Sequence, residues 1–159
     1  MQLVIKYLHH EEQLKNITFT PHGQSAGYDL CVAVDEPVVL QPNESKLLPT
    51  GISLRMYQFD CGGFIFPRSG LGSKGIVLRN TVGVIDPDYT GEIKLAVWNT
   101  TNEPVTIEPF QRVAQIVFLP VIHPSVFYAN FPEYTCTLPD QEIKGVATRG
   151  DKGFGSTGK

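Results

Sequence analysis

Glycine and proline punctuate this chain from end to end, 15 and 12 of them among 159 residues, and no long segment carries a 3.6-residue apolar period. Proline removes a backbone donor and glycine weakens a helix interior, so regular helices of ordinary length are excluded over most of the chain. Between these breakers lie short β-branched or aromatic runs at 3–8, 28–34, 38–40, 52–56, 64–66, 76–78, 93–98, 105–107 and 113–119. Turn signals separate them: Pro-Asn at 42–43, Pro-Thr-Gly at 49–51, Cys-Gly-Gly at 61–63, Asp-Pro-Asp at 86–88 and Thr-Asn at 101–102. Many short strands at close spacing predict an all-β sandwich or barrel. Single helical turns are expected at 69–75 and 11–16.

The length suits one domain, and 42% apolar against 18% charged residues is enough to bury a core. A net charge of −3 argues against stable electrostatic binding to duplex DNA or an anionic membrane. It leaves room for a local cationic pocket. No apolar run approaches membrane-spanning length, and the first residues, MQLVIKYLHHEEQ, carry charge where a signal peptide is apolar. Cys31, Cys61 and Cys136 form no CxxC pair, which predicts neither a zinc site nor a disulfide framework and suits a reducing, intracellular compartment. Patterning weakens after Leu119. Residues 120–148 carry scattered prolines and aromatics, and the last eleven, RGDKGFGSTGK, hold four glycines and one large apolar side chain. Such a tail cannot fold alone and is expected to order only by binding something.

Several constellations carry chemistry. Pro67-Arg68-Ser69-Gly70-Leu71-Gly72-Ser73-Lys74-Gly75 follows a strand. Its glycines let backbone N–H groups approach an anion, Arg68 offers a fork and Ser69 a hydroxyl; a plain glycine-rich turn is the alternative. The stretch Asn80 to Lys94 places Asp86-Pro-Asp88-Tyr89-Thr-Gly91 between two apolar runs, which reads as a hairpin. Its aspartates are either general bases or turn formers. In Arg112-Val-Ala-Gln115 strict strand alternation puts the two polar residues on different faces, and Asp29 is a candidate partner for Arg112. His9-His10-Glu11-Glu12 has metal-ligand residue types, but neighbours in a strand point apart, and a solvated turn is expected. Gly153 to Lys159 satisfies both GxGxxG and GxxxxGK. Those motifs work by opening a helix, and here the chain ends instead.

Taken in order, these pieces closely resemble the five motifs of the trimeric deoxyuridine triphosphatases, from near residue 20 to the C-terminus. They are Ala26-Gly27-Tyr28-Asp29-Leu30, Pro67 to Gly72, Gly83 to Lys94, Arg112 to Gln115, and Arg149 to Gly158. The resemblance implies a jelly-roll-like β-barrel domain over 1–148, with 149–159 as an arm closing over a neighbouring subunit's site in a homotrimer. It implies hydrolysis of dUTP to dUMP and pyrophosphate by attack of water on the α-phosphorus, with Mg²⁺ on the triphosphate. That reaction clears dUTP from the nucleotide pool and supplies dUMP for thymidylate synthesis. Asp86 is then the base, and Asp29 supports a metal-bound water or the structure. Arg68, Ser69, Gly70 and Gln115 hold phosphates, while Arg149, Gly155, Ser156 and Thr157 close over the γ-phosphate and Phe154 stacks on uracil. Asn80 and Gly83 belong to the wall meeting the base edge, Tyr89 packs on the deoxyribose, and Lys94, with Lys74, adds positive field. Two departures stand out: Lys152 replaces a small residue, and 120–148 is long for the family, which leaves room for an extra protein partner. The rival readings are a deoxycytidine triphosphate deaminase on a related fold, which needs a glutamate acting at the base, and a regulatory protein that grips a partner.

Overall fold

The computed structural model describes residues 3–19, 25–57 and 61–122. Ten strands and two single-turn helices follow one another: β1 (Leu3–Tyr7), α1 (Glu11–Leu14), β2 (Tyr28–Cys31), β3 (Val38–Leu40), β4 (Ser45–Met56), β5 (Cys61–Pro67), α2 (Ser69–Gly72), β6 (Ile76–Leu78), β7 (Gly83–Ile85), β8 (Glu92–Asn99), β9 (Val105–Ile107) and β10 (Arg112–Pro120). All pairings are antiparallel. They form one sheet of order β1-β4-β8-β6, a second of order β2-β10-β5-β7, and a small β3-β9 ribbon.

Alternation explains why the two larger sheets close on each other. Along β8, Ile93, Leu95 and Val97 are buried while Glu92, Lys94, Ala96 and Trp98 turn outward. Such a strand has one apolar face and must bury it against another layer. Ile65 of β5 pairs with Ile116 of β10, and both are buried with Leu30, Leu54, Ile93 and Leu95 in one core. At about 25 cal/mol per Å², burying side chains of this size contributes roughly 1.5–3 kcal/mol each before entropy is counted. Cys31 and Cys61 occupy buried positions. Burial pushes the Cys31 thiol above its usual range. No helix among the described residues is long and apolar enough to cross a membrane.

Two expectations change. Pro-Thr-Gly at 49–51 does not separate two strands; it lies inside β4, where the pairing to β8 shifts between Pro49 and Ser53. Proline is tolerated at such a bulge because its missing donor falls where the ladder is already broken. Gly51 takes φ +69°, and a Cβ there would stand 2.8 Å from Leu14 Cδ1. The second change concerns residues 80–94, which are not a hairpin. Among the described residues β7 pairs only with β5, and β8 pairs with β4 and β6. The Asp-Pro-Asp turn therefore carries the chain from one sheet to the other.

Candidate active site

Where β7 and β8 part, a cavity of about 260 Å³ opens between them. Asn80, Gly83, Val84, Ile85, Asp86 and Tyr89 line it from one side, with Ile65 of β5, and Glu92, Ile93 and Lys94 from β8. β7 is a sheet edge, so the backbone groups on its outer side meet no neighbouring strand among the described residues. Those groups offer alternating donors and acceptors to a flat polar edge. Asp86 is in the lining and Asp88 is not. The Asp86 carbonyl accepts from Tyr89 N–H at 3.1 Å, closing the turn, and the Tyr89 hydroxyl donates to the Glu92 carbonyl at 2.9 Å. The aromatic ring is thus pinned at both ends.

A second cavity, of about 510 Å³, is lined by residues 25–27 with Asp29, Arg68, Ser69, Gly70, Gln115 and Val117. Asp29 organises it. Its Oδ1 lies 2.7 Å from Arg68 Nε and its Oδ2 3.5 Å from Arg112 Nη1, with the carboxylate only 13% exposed. A carboxylate this shielded needs cationic partners, and it fixes the Arg68 fork through Nε, leaving the terminal amino groups for an anion. Arg112 and Gln115 reach one face because the β10–β2 register slips between Arg112 and Ala114. That bulge breaks the alternation that would have set them apart. Gln115 pairs across the sheet with Asp29, and its Nε2 donates to the Pro67 carbonyl at 3.3 Å. Gly27 leaves room for this side chain, since a Cβ there would lie 2.7 Å from Gln115 Oε1 and push the amide aside.

α2 shapes the floor. Leu71 and Gly72 N–H both donate to the Arg68 carbonyl, which leaves the N–H groups of Ser69 and Gly70 outside the turn's own bonds. A Cβ on Gly70 would meet nothing within 4 Å, so open space lies above that backbone. Arg68, two backbone donors and a hydroxyl make a polyanion cradle, with Arg112 behind it on Asp29.

Of the residues expected from sequence, Asn80, Gly83, Asp86, Tyr89 and Lys94 gather at the first cavity, and Asp29, Arg68, Ser69, Gly70 and Gln115 at the second. Lys74 lines neither. Arg149, Phe154, Gly155, Ser156 and Thr157, with Lys152 and the 120–148 segment, lie outside the described residues. Reading the sequence missed Glu92 and Gly27, although both fall inside quoted motifs. Gly27 carries no side-chain chemistry, and the importance of Glu92 depends on its tertiary neighbours. His9 does sit in an exposed bend, as expected of a solvated turn, and its Nε2 also lies 3.2 Å from Glu92 Oε1. Among the described residues no group of three His, Cys, Asp or Glu converges to hold a metal ion.

A family model described as dUTPase matches residues 15–158. The chain belongs to the dUTPase family. A deoxyuridine 5'-triphosphate nucleotidohydrolase of Neisseria meningitidis is 46% identical over 135 residues, covering 84% of this chain and 82% of the relative. One from Legionella pneumophila is 44% identical over 136 residues, covering 85% and 82%. The crystal structure of the Streptococcus mutans dUTPase superposes with a TM-score of 0.66 at 31% identity, over 79% of this chain and all of that one. Membership bears out the family resemblance, and the likeness bears out the jelly-roll-like all-β class. Most of the first cavity's lining falls in the third dUTPase motif, with Ile65 and Asn80 outside it, and most of the second's in the first, second and fourth, with Ser25 and Val117 outside them.

Proposed function

We propose that this chain hydrolyses dUTP to dUMP and pyrophosphate at sites completed between copies of itself. The observation that carries the reading is the cavity opened where β7 and β8 separate. It holds one carboxylate of the turn, Asp86, one pinned aromatic, Tyr89, and the edge of β7, which has no further neighbour among the described residues. Uracil presents an acceptor–donor–acceptor edge that suits an exposed strand backbone. Cytosine presents a different pattern, and thymine adds a methyl group to a closely fitted wall. Tyr89 packs flat on deoxyribose and leaves no room for a 2′-hydroxyl. Polar mismatch of this kind discriminates far more strongly than a missing methylene.

Asp86 orients the attacking water and takes its proton as the bond to the α-phosphorus forms. Arg68, Ser69, Gly70 and Gln115 hold phosphate oxygens and stabilise charge as pyrophosphate leaves. Arg149, Gly155, Ser156 and Thr157 close over the γ-phosphate, and Phe154 covers the base and excludes water. The described residues suit a magnesium ion that arrives on the triphosphate, because Asp29 is already engaged by two arginines and no protein cage is present among them. Bound there, magnesium neutralises charge that repels the nucleophile. Asp29 acts by bracing Arg68 and Arg112.

The division of the chemistry between two cavities supports a homotrimer with shared sites. The cavity with Asp86 and the cavity with Arg68 share no residue. Ile65, in the first, sits one position from Phe66, the partner of Gln115 in the second, so the two draw on opposite faces of one sheet. A neighbouring copy supplies the missing half, and the 149–159 arm comes from another. The deaminase reading fares worse: Glu92 does line the nucleoside cavity, but its Oε1 already accepts from Gly51 N–H at 3.0 Å. The test is release of pyrophosphate and of ammonia from dUTP, dCTP, dTTP and UTP with magnesium present. Pyrophosphate from dUTP, with little from the other three, supports the reading. Ammonia from dCTP would replace it.

A further inference from the structure

The residue that fixes Tyr89 is itself held from a distance. Glu92 receives the Tyr89 hydroxyl on its backbone carbonyl at 2.9 Å. Its side chain then turns away from the turn and into a three-way junction. Oε1 accepts from Gly51 N–H at 3.0 Å and from His9 Nε2 at 3.2 Å, while Lys94 Nζ stands 3.8 Å from Oε2. Gly51 lies in the β4 bulge, where the pairing to β8 shifts register between Pro49 and Ser53. His9 lies on the turn after β1, and that turn is fastened to the same glycine by Leu8 N–H donating to the Gly51 carbonyl at 2.8 Å. The carboxylate is 18% exposed, shielded enough for its orientation to depend on these donors. Ser53 Oγ completes the clamp by donating to the Thr90 carbonyl at 2.8 Å.

We infer that Glu92 is the positioning residue for the sugar-facing ring of Tyr89, and that His9 orients Glu92, so that a histidine of the N-terminal strand's turn sets how strictly a 2′-hydroxyl is refused. The inference rests on the reading of Tyr89 as the sugar contact. A hydroxyl-sized clash is decided by ring placement of less than an ångström. Losing one of two donors lets the carboxylate swing toward Lys94, and the Glu92 backbone, with the ring, moves with it. Neither His9 nor the Glu92 side chain needs to touch the nucleotide for this.

The test compares kcat/KM for dUTP with that for UTP in the full chain and in Tyr89→Ala, His9→Ala, Glu92→Ala and Glu92→Gln. Glutamine keeps an acceptor oxygen for Gly51 and His9. The expected result is that Tyr89→Ala relaxes the dUTP/UTP ratio most, and that His9→Ala and Glu92→Ala each relax it about 3–10-fold, the worth of one such hydrogen bond. Glu92→Gln should hold the ratio near that of the parent, and His9→Ala should add nothing further on a Glu92→Ala background. A loss of stability alone lowers activity on both substrates and leaves the ratio where it was. If Tyr89→Ala relaxes the ratio and His9→Ala does not, this inference fails and the sugar reading stands. If Tyr89→Ala leaves the ratio unchanged, the sugar reading fails and takes the inference with it.

Discussion

At the scale of single residues, the two cavities separate groups that do chemistry from groups that only shape the backbone. Asp86 is the candidate base because it lines the nucleoside cavity while Asp88, two positions on, does not. Asp86→Asn is nearly isosteric and cannot take a proton, so turnover should fall 10²–10⁴-fold, about the worth of one general base, with dUTP binding retained. Rapid-quench turnover and equilibrium binding on the same preparation check this; an active Asp86→Asn with a dead Asp88→Asn would move the base. Gly70 offers a sharper contrast. Its missing Cβ faces open space and its φ is not in the left-handed region, so Gly70→Ala should keep or raise stability by about 0.5–1 kcal/mol. If phosphate approaches that backbone, the same methyl must raise KM for dUTP about tenfold or more, the cost of one charge-assisted hydrogen bond. A thermal melt beside a KM determination separates the two; an unchanged KM would remove Gly70 from the phosphate cradle. These residue types were legible in the sequence. The company of Arg112 and Gln115 was not, because it depends on a bulge that no local pattern announces.

At the scale of elements, local signals worked where a strand's limits are set by its own residues. The runs 38–40, 76–78 and 105–107 became β3, β6 and β9 without change. They failed where pairing is decided across the molecule. The turn at 86–91 looked like a hairpin because apolar runs flank it, yet residues 83–85 find a better partner in β5, whose Ile65 and Gly63 sit against Gly83 and Ile85. The cavity exists because that hairpin does not. Asn99, at the end of β8, shows the same dependence on tertiary context. It is fully buried, and its Nδ2 donates to the carbonyls of Leu40, Gln41 and Glu103 while its Oδ1 accepts from Thr101 N–H. One side chain thereby ties the ends of β3 and β8 to the turn before β9. Asn99→Ala leaves several buried groups unsatisfied and should cost about 3 kcal/mol, each orphan being worth roughly 1–3 kcal/mol. Asn99→Asp should fall at least as far, since a carboxylate would face carbonyls. Urea unfolding midpoints measure both; a loss below about 1 kcal/mol would mean that water replaces the amide.

At the scale of the whole molecule, each proposed site is a joint product of two or more copies. As proposed, one copy would present the base and the base-reading edge around Asp86, and another the Asp29-braced Arg68. The sequence resemblance carried this division only as an implication, since no spacing along one chain reveals which motifs meet between chains. The direct measurement mixes two crippled proteins, Asp86→Asn and Arg68→Gln, unfolds and refolds them together, and follows pyrophosphate release from dUTP. Each alone should be nearly inactive, and mass analysis of differently tagged chains establishes that mixed oligomers have formed. The account predicts that activity reappears in the mixture and follows the mixing ratio, because some sites then join an intact Asp86 to an intact Arg68 from another copy. Mixed oligomers no more active than their parents would mean that both residues of a site come from one chain, and would contradict it.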